Sequence, residues 1–145
     1  MKIIEFNESY LKDIKLLLRE EDIDPSTNES YNIELFENSY FMSFLCLNDS
    51  EVVGSISLSI RLYVLEINHI FVANNYRGRR VGRSLIEKAF EYGLERKCES
   101  VIVNTSEDNF VARKMYEKLG FEKKGEVFDY FNHRKKQLLY MKKLK

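Results

Sequence analysis

Tyr76-Arg77-Gly78-Arg79-Arg80-Val81-Gly82-Arg83-Ser84 (YRGRRVGRS) sits between a β-rich run that ends at Val72 and a helical run that opens near Val81. The residues before it, Leu62 to Val72 (LYVLEINHIFV), are β-branched and aromatic enough for a strand, and Ala73-Asn74-Asn75 ends it. From Val81 to Arg96, Val81, Leu85, Ile86, Ala89, Phe90 and Leu94 make one apolar stripe with Glu87, Lys88, Glu91 and Glu95 opposite, which is an amphipathic helix. A strand, a tight turn with Gly78 and Gly82, and a helix N-terminus together expose backbone N–H groups at the positive end of the helix dipole. This is an anion site: Gly82 allows close approach to the backbone, and Arg77, Arg79, Arg80 and Arg83 add charge suited to a phosphate or diphosphate. No Gly-Lys-Ser/Thr follows, so it is not a P-loop, and Gly78 and Gly82 do not fit the dinucleotide pattern G-x-G-x-x-G. Taken by itself, the turn also fits a glycine-containing connection with solvated arginines.

Working outward, Val101-Ile102-Val103 is a short apolar strand, and Asn109 to Phe121 (NFVARKMYEKLGF) places Ala112, Met115, Tyr116 and Leu119 on one helical face that stops at Gly120. Two final strands, Glu122 to Phe131 and Arg134 to Lys143, surround a turn at Asn132-His133. Upstream, Phe41 to Leu47 and Glu51 to Ile60 form a hairpin through Asn48-Asp49-Ser50. Lys2 to Phe6 is a strand, and Leu11, Ile14, Leu17 and Leu18 mark the first helix. Glu20 to Tyr31 is acidic and contains Pro25, so it reads as an exposed loop, followed by a short helix at Asn32 to Asn38. The order is β-α-(α)-β-β-β-α-β-α-β-β without repeat or linker.

The 145 residues, 44% of them hydrophobic, suit one domain, residues 1–145, with its own core. Arg61 and Glu66 interrupt the longest apolar stretch, which therefore falls short of the ~20 residues of a membrane span. The N-terminal residues lack the features of a signal peptide. Two unpatterned cysteines, Cys46 and Cys98, read as free thiols in a reducing compartment, so a cytoplasmic location is expected. Cysteines and histidines show no ligand spacing, so no metal site is expected. Tyr130 to Lys136 mixes aromatic and basic residues, but a solvated hairpin tip explains it more simply than nucleic-acid binding does. Charge is uneven: residues 1 to 53 hold 12 acids and 4 bases, net −8, and the remainder carries +8.

The glycine turn and the Asn109 to Phe121 pattern, in this order and at this separation, resemble the GCN5-related N-acetyltransferase (GNAT) superfamily over about residues 50 to 143. The resemblance implies a mixed α/β fold whose central, mostly antiparallel sheet is splayed between the strands at Leu62 to Val72 and Val101 to Thr105, with helices on both faces. It implies acetyl-CoA as acyl donor, with its pyrophosphate on Gly78, Arg79, Arg80, Val81, Gly82 and Arg83, assisted by Arg77. Its pantetheine would lie along Ile70, Phe71 and Val72, with the Val72 N–H toward the thioester carbonyl. Asn109 matches a cofactor-contacting residue and Tyr116 the tyrosine near the thioester sulfur. Arg80 stands where the family commonly has glycine, so the pyrophosphate contact is expected to require a helix-like backbone at Arg80 with negative φ.

Tyr116 suits a general acid, because a phenol with pKa about 10 can protonate a thiolate whose conjugate acid is near ~8.5. It also shares the apolar stripe of its helix, as a core tyrosine would. Glu66, six residues before Val72 and so expected on the same strand face, matches the glutamate base of some protein-modifying members. His69, at odd spacing from Glu66, is expected on the opposite face. Asn104 stands where another branch carries a base glutamate. Neither cysteine lies near a histidine in sequence, so direct transfer is favoured over an acetyl-cysteine.

Two readings follow: an enzyme acetylating an amine, or an acyl-CoA-binding module without transfer. For the enzyme, Glu20, Glu21, Asp22, Asp24 and Glu29 would attract a cationic acceptor such as a polyamine, an aminoglycoside-like amine or a Lys-rich peptide; N-terminal or lysine acetylation of proteins is the alternative. The resemblance also accommodates a homodimer through the last strands.

Overall fold

The computed structural model describes residues 1–20, 35–128 and 136–145. The acidic stretch beyond Glu20 and the Asn132-His133 turn lie outside the described residues. The strands are β1 (Lys2–Glu5), β2 (Met42–Asn48), β3 (Glu51–Arg61), β4 (Val64–Val72), β5 (Ser100–Ser106), β6 (Glu122–Phe128) and β7 (Lys136–Lys143). The helices are α1 (Leu11–Glu20), α2 (Val81–Glu95) and α3 (Phe110–Lys118), and residues 35–37 add a helical turn. The strands form one sheet in the order β1-β2-β3-β4-β5-β7-β6. Neighbours are antiparallel except β4 and β5, which run parallel. Leu62 was expected to open β4, but it takes φ 56 in the turn between β3 and β4, and the strand starts at Val64.

The sheet buries both faces. On one, Leu85, Ile86 and Ala89 of α2 are fully buried against Ile56, Leu58, Leu65 and Val101. Each such Leu or Ile removes apolar surface worth about 1.5–3 kcal/mol. On the other face, Ile14, Leu17 and Leu18 of α1 pack with Leu45, Leu47 and Val52. The helical spacing of the apolar residues thus selects which side of each helix meets the sheet.

Two local features shape the region between β4 and β5. Their ladder runs only from Val64↔Ser100 to Ile67↔Val103; beyond it, the two strands no longer pair with each other. Immediately past that point β4 carries a bulge, for Ser57 faces His69 while Leu58 faces Ile67, leaving Asn68 without a β3 partner. The splay inferred from the family resemblance therefore opens at the bulge.

Candidate active site

The splay opens a cleft of about 1150 Å³. The end of β4 supplies Ile70 and Val72 to its wall. The turn and the start of α2 supply Arg77, Gly78, Arg80, Val81, Gly82 and Arg83, and α3 supplies Asn109, Ala112, Met115 and Tyr116. Phe71, Arg79 and Glu66 are not among the lining residues.

Hydrogen-bond alternation decides where the β4 backbone points. Ala73 N–H donates to the Val53 carbonyl at 2.9 Å, and Val72 lies opposite Gly54. In an antiparallel ladder the next residues alternate, so Phe71 bonds to β3 while Ile70 and Val72 direct their N–H and C=O groups away from it, into the splay. The Val72 carbonyl agrees with this direction, accepting from Arg77 Nε at 3.3 Å. An extended ligand with amide groups could pair with this edge as an added strand would.

At the start of α2 no side chain caps the helix. The first-turn N–H groups of Val81, Gly82 and Arg83 therefore keep donor capacity for a ligand. The backbone at Arg80 corrects the sequence expectation: its φ is 66 and ψ 15, left-handed rather than helix-like. Gly78 is also left-handed at φ 77. Left-handed residues leading into a right-handed turn make successive N–H groups converge on a concave nest, a geometry suited to an anion, so a left-handed Arg80 does not by itself remove the donors. The cost of a left-handed arginine is about 1–2 kcal/mol. Arg79 points elsewhere, its guanidinium 5.1 Å from the centre of the Tyr76 ring.

Glycines bring the elements close. A Cβ on Gly54 would lie 2.8 Å from Val81 Cγ1 and 2.9 Å from the Phe71 carbonyl, so α2 can approach β3 and β4 only over a bare backbone. At Gly82 the neighbour is Met115 Sδ, 3.3 Å from an added Cβ.

Asn109 caps α3: its Oδ1 accepts the Ala112 N–H at 3.1 Å. That oxygen is committed to the helix, leaving the amide nitrogen for the cleft. Tyr116 is held from both ends. Phe121 N–H donates to its carbonyl at 3.0 Å and Gly120 N–H to that of Glu117 at 3.1 Å, with Gly120 at φ 94, a Schellman ending. Its ring meets Phe121 edge-on with centroids 5.4 Å apart. The side chain is core and cleft wall at once: burial pushes its phenol up to about 12, yet it lines the cavity.

The bulge corrects the expected faces of β4. Leu65 and Ile67 join the α2 core, so Glu66 projects to the α1 side. Beyond Asn68 the parity reverses: Ile70 and Val72 pack with the α2 core and Phe71 with the α1 core. His69 stacks on Phe71 at 5.0 Å and 26°. Glu66, His69 and Phe71 therefore share one face, and Val72 is on the other. Asn68 Nδ2 donates to Ser59 Oγ at 2.8 Å, on the Glu66 side. Desolvation raises the Glu66 carboxyl above its ordinary value and lowers the His69 imidazole to about 4. His69, Asn68 and Asn104 line the cleft, as do Lys114 and Lys118; of these, only His69 and Asn104 stand out in the sequence. The pairing with β3 that creates the bulge leaves no periodic signal in β4 itself.

Cys46 and Cys98 are buried, and burial pushes both thiols up, away from the thiolate a covalent route needs. Among the described residues no cluster of acidic, histidine or cysteine side chains could hold a metal, and no helix is long and apolar enough to cross a membrane.

The sequence profile of the Acetyltransferase (GNAT) family matches residues 7–121. The chain belongs to that family. It is accordingly an acetyl-CoA-dependent N-acetyltransferase of mixed α/β fold. Aminoglycoside N(6')-acetyltransferase type 1 of Salmonella typhimurium is 27% identical over 106 residues, 67% of this chain and 73% of that protein. N-alpha-acetyltransferase 30 of Dictyostelium discoideum is 28% identical over 129 residues, 86% of this chain and 69% of that protein. A crystal structure of aminoglycoside 6'-N-acetyltransferase complexed with coenzyme A superposes with TM-score 0.81 at 18% identity, covering 100% of this chain and 98% of the other.

Proposed function

We propose that this GNAT chain acetylates the primary amine of a small cationic acceptor by direct attack in a ternary complex. The observation that carries the reading is the open edge of β4 beside the uncapped start of α2. Those two features fit the amide-bearing arm and the pyrophosphate of acetyl-CoA respectively. Acetyl-CoA supplies the activated acyl group; the chain supplies orientation, which alone accounts for much of the acceleration of a two-substrate transfer.

In this reading the backbone of Gly78 to Arg83 binds the pyrophosphate, with Arg77 and Arg80 adding charge, Arg83 contributing its N–H while its guanidinium is paired with Glu87 at 2.8 Å, and Arg79 acting from behind Tyr76. Ile70 and Val72 pair with the pantetheine amides, and the backbone of Phe71 fixes them to β3. The Val72 N–H meets the oxygen on which charge develops as the amine attacks. Asn109 contributes its amide nitrogen to the cofactor wall. Tyr116, its phenol pushed up to about 12 by burial, stays protonated at neutral pH and donates to the leaving sulfur. Glu66 stands on the acceptor side of β4.

The cationic acceptor rests on the net −8 of residues 1 to 53. A second acceptor, the α-amine of a peptide, is supported by the likeness to an N-alpha-acetyltransferase over 86% of this chain. Thiol release from acetyl-CoA, measured against polyamines, aminoglycosides and short peptides, separates the two. Replacing Glu21 and Asp22 by amides should raise KM for each cationic acceptor; an unchanged KM for all of them refutes the electrostatic part. We also place the protein in the cytoplasm, on its two free buried cysteines, and β6 at the sheet edge offers the surface for a homodimer.

A further inference from the structure

We propose that His69 is the residue that takes the proton from the attacking amine, through the imidazole nitrogen facing the cleft. This rests on the acetyl-transfer reading above and names the group on the acceptor side of it.

Three observations converge on this histidine. The bulge at Asn68 rotates His69 onto the α1 face of β4, beside Glu66, while leaving it in the cleft wall between Ile67 and Val72. Ile70 and Val72, which follow it on β4 beyond the bulge, are those whose N–H groups point into the splay, so the ring stands one residue from the edge at which the thioester would be held. Its hydrogen bonding is also incomplete. Nδ1 is buried with no partner, and Nε2 has none among the described residues but is not sealed off. A buried, unpaired polar nitrogen costs about 1–3 kcal/mol and calls for a functional explanation.

The surroundings suit a neutral imidazole. Phe71 stacks against one side of the ring, and Ser57 is its cross-strand partner. Desolvation keeps the ring uncharged at neutral pH, so Nε2 holds a free lone pair when Nδ1 carries the hydrogen. Glu66, whose carboxyl is shifted in the opposite direction, lies on the same face about two ladder positions away, roughly 7 Å along the strand. The charged imidazolium is disfavoured here, so the proton passes on to solvent through the open cleft.

The step balances. The amine nitrogen bonds to the thioester carbon, and its surplus proton passes to His69 Nε2. The C–S bond then breaks and the sulfur receives the Tyr116 proton, giving an amide and free CoA thiol. Water restores the proton to Tyr116 and takes up the one held by His69.

The test compares wild type, His69→Ala and His69→Asn by acceptor-dependent thiol release, with acetyl-CoA affinity by calorimetry and imidazole added to each reaction. Proton transfer by His69 predicts a kcat loss of about 100-fold in both variants, with acetyl-CoA Kd changed less than about twofold. It further predicts that imidazole restores activity to His69→Ala about tenfold or more and leaves wild type unaltered. Asparagine keeps a polar group near Nδ1, so His69→Asn serves if the alanine variant does not fold. A kcat within about threefold of wild type in either folded variant overturns the proposal. So does a lost activity that imidazole does not restore, with acetyl-CoA binding weakened in parallel, since that marks a packing role. A wild-type protein that binds acetyl-CoA and transfers to no amine instead overturns the acetyl-transfer reading itself.

Discussion

Gly54→Ala tests whether the close seating of α2 on β3 and β4 sets up the anion site. The new methyl would lie 2.8 Å from Val81 Cγ1, 2.9 Å from the Phe71 carbonyl and 3.2 Å from Leu85 Cδ1. Two of these lie below any ordinary carbon contact, and one is backbone, so a rotamer change cannot relieve them all. Overpacking of this kind costs about 1–3 kcal/mol, against which removing a strand glycine returns about 0.5–1 kcal/mol. The net loss is about 1–2 kcal/mol. For 145 residues the unfolding entropy is about 0.3 kcal/mol per degree, so Tm should fall by roughly 3–7 °C. Relief comes by moving Val81, the first residue of α2, and with it the N–H groups that follow the turn. Losing one charge-assisted contact to a phosphate would raise the acetyl-CoA Kd about tenfold. Thermal melts and calorimetry read both quantities. Gly125→Ala is the control, because nothing lies within 4 Å of its added Cβ. A Gly54→Ala protein with Tm within about 1 °C and Kd within about twofold of wild type refutes the reasoning.

Arg80→Gly removes a left-handed side chain worth about 1–2 kcal/mol of strain but frees the unfolded chain, so stability should change by less than about 1 kcal/mol and acetyl-CoA should still bind. Complete loss of binding would show that the guanidinium, not the backbone nest, holds the ligand. Tyr116→Phe should lower kcat by about 100-fold or more while Kd for acetyl-CoA stays within about twofold, read by thiol release and calorimetry. The His69 imidazole, depressed to about 4 in the folded state, makes stability fall as pH drops from about 6.5 toward 4, because only the unfolded chain takes up that proton. The contribution is on the order of 3 kcal/mol. Glu66, raised on folding, works in the opposite sense, so the effect is isolated by comparing urea melts of wild type and His69→Asn across that range. Parallel pH dependences in the two proteins would show that His69 is not desolvated.

Much of the architecture was legible because it follows from local periodicity. The stripe Val81 to Leu94 locates α2, and the Asn48-Asp49-Ser50 turn locates the β2–β3 hairpin, with Asp49 at φ 55. Gly120 ends α3 in the left-handed conformation that glycine predicts. The anion turn was legible for the same reason, but not its conformation: nothing in the residues around Arg80 signals an arginine at φ 66. The faces of β4 were misread because counting by twos assumes an unbroken ladder, and the extra residue at Asn68 becomes visible only in pairing with β3. That single residue moved His69 beside Glu66 and put Val72 across the sheet from both. Asn109 carried a second signal, since an asparagine just before a helical run is a natural N-cap.

The most direct test of acetyl transfer to a cationic amine at the β4–β5 splay is acceptor-dependent thiol release from acetyl-CoA by the wild-type protein at low ionic strength. The account predicts turnover with polyamine or aminoglycoside acceptors, and a KM that rises as salt screens the acidic N-terminal part of the chain. Thiol release that no amine accelerates above the acceptor-free rate would contradict it.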